Sequence, residues 1–123
     1  MRVMADDVTQ EVMSLYRWLC DDEEATRNAT VSLAEDTRPG ELGLSIEEIE
    51  FLISSGFNAG SLLLAIANWR SSRQHASPVR IELGRPGRTI VTVAEDTPEA
   101  IERAVRILQA AIAEEVSRNA EEG

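Results

Sequence analysis

Apolar and polar positions alternate along this chain in two rhythms, and the change from one to the other predicts most of its elements. Met1 to Ala5 is compatible with a short strand, and Asp6 and Asp7 mark a turn and helix cap. Val8, Val12, Leu15, Tyr16 and Leu19 then recur at helical spacing, ending near the acidic cluster Asp21 to Glu24. Trp18 stands beside this stripe, at the edge of a core or as an exposed aromatic contact. Thr30 to Glu35 alternates with a period of two, which predicts a half-buried strand. A break from Thr37 to Gly43 follows, with one proline and two glycines.

The stretch from Ser45 to Gln74 predicts a long central helix. Ser45 and Glu48 are spaced as a capping box, and Leu44 and Ile49 as a hydrophobic staple. Glu47, Glu48 and Glu50 near its start and Arg70 and Arg73 near its end complement a helix dipole. Ile46, Ile49, Ile53, Gly56, Gly60, Leu63 and Ala67 make its core-facing stripe, widened by Leu52, Ala59, Leu62, Ile66 and Trp69. The opposite face, Ser54, Asn58, Ser61, Ala65 and Asn68, is polar or small but uncharged, and a helix face in water ordinarily carries charge. That face, with Gly56 and Gly60 at helix-packing spacing and Trp69, Arg70 and Arg73 at its end, is the candidate interaction site. Such a helix would run about 40 Å through a domain about 28–30 Å across, so it is expected to project or to bend at its glycines.

Val79 to Leu83 and Arg88 to Ala94 alternate around the turn Gly84 to Gly87, which predicts a β-hairpin. Asp96, Thr97 and Pro98 open a last helix with the stripe Ile101, Val105, Leu108, Ile112 and Val116, and the acidic tail from Asn119 is expected to fray. The echo between VSLAEDTRP at Val31 and VTVAEDTPE at Val91 reads as two strands meeting similar turn chemistry, not as a repeat. The order β-α-β-α-β-β-α predicts an α+β fold in one domain. It has a small mixed four-stranded sheet, with strands 1 and 2 parallel through a right-handed crossover and strands 3 and 4 antiparallel.

Composition narrows the function. With 22 acids against 12 basic residues the 123-residue chain carries a formal charge of −10, which argues against nucleic-acid binding. Every basic residue is arginine, a bias expected of a GC-rich genome. Five of them fall between Arg70 and Arg88 with one acid, whereas the first 50 residues hold 13 acids and four arginines. If folding preserved that segregation, copies could join head to tail. The single cysteine, Cys20, excludes an internal disulfide and fits a reducing cytoplasm, and Met1 to Asp7 lacks the pattern of a secretory signal. The single histidine, His75, lies in a predicted loop far from Cys20, so no nucleophile-base pair and no metal-ligand spacing is visible. The acidic run lacks the alternation and glycine of a calcium loop, and no glycine-rich phosphate loop occurs. No cofactor and no enzymatic activity are expected. A membrane span would need about 20 predominantly apolar residues, and the run from Phe51 to Trp69 is interrupted by Ser54, Ser55, Asn58, Ser61 and Asn68. A membrane-acting role is therefore the alternative and not the leading reading.

Four motifs in order, SLYRWLCDDEE at Ser14 to Glu24, PGELG at Pro39 to Gly43, the small-residue helix ending NWRSSR at Asn68 to Arg73, and the hairpin VRIEL and RTIVTV, carry a family likeness. Together they cover roughly Val8 to Leu108 and resemble the effector-associated constant component family of bacterial, largely actinobacterial, conflict systems. The resemblance implies a small non-catalytic partner encoded with effectors such as caspase-like or trypsin-like peptidases. It carries no catalytic residues onto this chain. The function expected is an interaction and assembly module that forms a homo-oligomer and presents or regulates such an effector.

Overall fold

The computed structural model describes residues 1–5, 9–37, 45–73, 78–84, 88–95 and 97–122. In chain order the elements are β1 (Arg2–Ala5), α1 (Thr9–Cys20), α2 (Glu23–Thr26), β2 (Ala29–Thr37), β3 (Ser45–Ile53), α3 (Ala59–Ser71), β4 (Val79–Leu83), β5 (Arg88–Val93) and α4 (Pro98–Glu122). The five strands form one sheet in the order β2-β3-β1-β4-β5, and every neighbouring pair is antiparallel. Val3, Ile49, Ile81 and Val91 lie in register across four of these strands, and all four are buried in the core shared with the helices. Leu15 and Leu19 of α1, Leu62, Leu63, Ile66 and Trp69 of α3, and Leu108 and Ile112 of α4 complete that core.

The long central helix does not form. Its first third, Ser45–Ile53, is strand β3, paired along all nine residues with β2. Ile49 and Phe51 point inward and are fully buried, Ile53 lies half-buried behind them, and Glu48, Glu50 and Leu52 alternate outward. The same Ile49 and Ile53 also satisfy a helical i, i+4 spacing, and the acids suit a helix N-terminus, so local signals fit both states. Pairing decides between them, because Phe51 lies opposite Val31 and Ile49 opposite Leu33, an inward face that β2 needs in order to bury its own side chains. The helix begins only at Ala59, and its 13 residues span about 20 Å, so nothing projects and no bend is required.

The sheet therefore has five strands instead of four, and it is antiparallel, not mixed. β1 and β2 run in the same direction, as a strand-helix-strand unit predicts, but β3 lies between them and the described strands contain no parallel pair. β4 and β5 form the expected hairpin, with Val91 opposite Ile81 and Thr89 opposite Glu82, which leaves Ile90 as an extra, bulged residue.

Of the predicted helix starts that of α4 holds, and α2 is a fourth helix beyond the three predicted. Thr97 Oγ1 accepts a hydrogen bond from the Ala100 amide at 3.2 Å, and Pro98 is the first residue of α4. Asp22, in the acidic cluster, caps the short α2 by accepting from the amides of Glu24 and Ala25. Asp6, Asp7, Val8, residues 38–44, 74–77 and 85–87, and Asp96 lie outside the described residues, and with them most of the two predicted breaks, most of the hairpin turn and the first residue of the last helix start.

Candidate functional site

Helix α3 is held on nearly all sides. Asn58 caps it, its Oδ1 accepting from the amides of Gly60 at 2.9 Å and Ser61 at 3.3 Å. Eight of its residues are buried: Ala59, Leu62, Leu63, Ala65, Ile66, Ala67, Trp69 and Arg70. Hence its apolar character runs almost all round, as expected of a central helix. What remains open is one stripe, Ser61, Leu64, Asn68 and Ser71, spaced by three and four residues and free of charge. Leu64 is 58% exposed at its centre. Trp18 of α1 borders the stripe: its Nε1 donates to the Ala65 carbonyl at 3.0 Å, fixing the indole, yet the residue stays 39% exposed.

The nine residues marked by the sequence separate into three groups. Ser61 and Asn68 lie on the open stripe. Ser54, Gly56, Asn58 and Gly60 shape the entry to α3. Ser54 Oγ donates to the Asn28 carbonyl at 2.9 Å, and Asn28 Nδ2 donates to the Gly56 carbonyl at 3.1 Å. Gly56 sits at φ +93° in the turn before the helix, where a Cβ would meet Asn28 Nδ2 at 2.9 Å. Gly60 is in the first turn of α3, where a Cβ would meet Val105 of α4 at an ordinary 3.8 Å. The two glycines thus share no helix face, and the close-packing motif they suggested does not arise.

Trp69, Arg70 and Arg73 form the third group and are turned inward or along the surface. Trp69 is fully buried, its Nε1 donating to Ser14 Oγ at 3.1 Å. Arg70 is buried and its guanidinium donates to the Ala94 carbonyl at 2.9 Å, joining α3 to the segment between β5 and α4. Arg73 lies 5.0 Å over the Trp69 ring and donates to the same Ser14 hydroxyl at 3.0 Å. The four described arginines of the basic segment therefore form no single patch. Arg70 is in the core, Arg73 stacks on Trp69, Arg80 reaches Met4 Sδ at 3.4 Å, and Arg88 is exposed on β5. Leu64, Ser71 and Trp18 were not marked by the sequence as one surface. Their signal is the 61, 64, 68, 71 spacing, but the sequence does not show that Trp18 lies against Ala65 and leaves Leu64 open.

For chemistry the described residues offer little. Cys20 is exposed and free, and its hydrogen bond with Tyr16 on the next turn holds the Tyr16 phenol above its ordinary range. No group of three His, Cys, Asp or Glu residues among those described is arranged to hold a metal. No helix among the described residues is long and apolar enough to cross a membrane, and the uncharged run is divided between the end of β3, a turn and α3. The membrane-acting alternative thus finds no support in these helices.

Curated proteins and solved structures provide no match to the chain. The model of the family described as Effector Associated Constant Component 1 does match, over residues 4–111, a span reaching from β1 into α4 and containing α3 with its open stripe. A match over most of the length, on a fold whose motifs stand in the expected order, shows that the chain belongs to the Effector Associated Constant Component 1 family.

Proposed function

We propose that this protein is a non-catalytic interaction and assembly module of a bacterial conflict system, working in the cytoplasm, which self-associates through the open stripe of α3 and presents or regulates an effector such as a peptidase. Family membership supports the association with an effector. The observation that carries the assembly reading is the uncharged stripe itself, with Leu64 exposed at its centre and Trp18 hydrogen-bonded at its border. Copies of a chain at −10 repel one another, so they need a contact zone free of acids. The stripe supplies one. Burying a leucine there contributes on the order of 1.5–3 kcal/mol per side chain, and a rigid tryptophan is a favoured interface anchor. Ser61 and Asn68 would add hydrogen bonds across a two-fold axis, while Ser54, Gly56, Asn58 and Gly60 set the helix start and Trp69, Arg70 and Arg73 hold its far end.

A cross-link tests the geometry. With Cys20→Ala as background, Ser61→Cys and Asn68→Cys should each be introduced and oxidised gently. A disulfide-linked dimer from at least one of them is the expected result, because an α3-to-α3 contact brings one of these positions near the axis. Monomers only, from both variants, would contradict it.

A further inference from the structure

A groove of about 370 Å³ opens between β5 and the first turns of α4. One wall is β5 from Ile90 to Val93 with Ala94 and Glu95 following it, and the other carries Ile101, Arg103, Ala104 and Ile107. The bulge in β5 places Ile90, half-buried, in the strand wall, and Ile107 is left 47% exposed on the helix wall. β5 is the end strand of the sheet and pairs with β4 alone, so the backbone groups along its outer edge have no ladder among the described residues. A free strand edge with a helix alongside is the geometry into which extended peptides add: main-chain hydrogen bonds give affinity, and alternate side chains enter the flanking hollow.

The charges around the groove select the guest. Two of its lining residues are charged, Arg103 on the helix wall and Glu95 beyond the end of β5, and Arg103 is exposed and makes no ion pair among the described residues. In a chain of net −10, this arginine is the one lining group that complements a carboxylate, while Glu95 sets where along the groove that carboxylate can sit. We propose that the β5–α4 groove docks an extended segment of a partner protein, which adds along the free edge of β5, seats an aliphatic side chain among Ile90, Ile101 and Ile107, and sets a carboxylate against Arg103. This surface lies apart from the α3 stripe, and the proposal holds whether or not copies pair there.

The test uses the full chain, isotope-labelled, titrated with short capped peptides in which Glu alternates with Ile, Val, Leu or Phe, and with the corresponding Lys peptides. At least one Glu peptide should move the amide resonances of residues 88–95 and 100–107, and the Lys peptides should not. Arg103→Glu and Ile107→Asp, both at exposed positions, should each weaken binding by about ten-fold or more while their melting curves stay unchanged. Methylating the peptide amides should abolish it. Silence of all four Glu peptides at millimolar concentration, equal binding by Lys peptides, or shifts confined to another surface would overturn the proposal. So would self-association lost in Ile107→Asp, which would make a second copy the occupant.

Discussion

The two parts of the stretch from Ser45 to Ser71 share an apolar character and reach opposite structures. β3 holds three isoleucines and one leucine, α3 one isoleucine and three leucines, and the uncharged run from Phe51 to Trp69 straddles them. In β3 the buried positions are Ile49 and Phe51 with Ile53 behind them, a period of two, whereas in α3 burial takes in eight of 13 residues. What separates them is the source of the deciding contact. α3 has a local start at Asn58, two residues after a glycine that takes a φ of +93° in the turn between strand and helix. β3 has no local signal of comparable strength, and its state is fixed by two neighbours, β2 and β1, one on each side. Strand propensity of this kind is a property of the pleated, half-buried surface into which the residues fit.

Adjacent substitutions in β3 test that difference most severely. Phe51→Ala should cost about 3–5 kcal/mol in chemical denaturation, since it empties a fully buried site against Phe57, whose ring lies 6.1 Å away edge-on. Leu52→Thr, one residue on, should stay within about 0.5 kcal/mol of the parent, because Leu52 is 64% exposed on the outer face. Equal losses at the two positions would restore a helical stripe and break the comparison. The two glycines give a smaller contrast. Gly56→Ala should destabilise by about 1–3 kcal/mol, through both its positive φ and the contact with Asn28. Gly60→Ala should change stability by no more than about 0.5 kcal/mol, the helix propensity gained offsetting a 3.1 Å approach to Asn58 Oδ1 that needs slight adjustment. Similar effects at both glycines would mean that they occupy similar backbone states.

Elements with their own punctuation were legible in the sequence. Thr97 and Pro98 announce α4, the alternation of Val79 to Leu83 and Arg88 to Val93 announces the hairpin, and Val12, Leu15 and Leu19 announce α1. β3 was not, because its isoleucines fit two periods and the choice lies in residues some twenty positions away, such as Val31 and Leu33. The misplaced helix start carried over to the candidate site. It put Gly56 on a helix face where the chain makes a turn, whereas the place of Leu64 on the open stripe depends on Ala65, not Leu64, being the residue covered beside Trp18. Ser61 and Asn68 fall inside α3, three and four residues from Leu64, and so share its stripe. The inward turn of Trp69, Arg70 and Arg73 depends on Ser14 and the Ala94 carbonyl, contacts across 55, 24 and 59 residues that no local pattern encodes.

The most direct measurement of the assembly reading is the mass of the purified chain by light scattering after size exclusion, for the parent and for Leu64→Glu. Leu64 is exposed, so the substitution should leave the melting curve unchanged and act only on contacts made by the α3 stripe. A discrete oligomer for the parent and a monomer for the variant is the predicted result. A parent already monomeric across the accessible concentration range, or a variant with the parent's mass, would contradict self-association through α3.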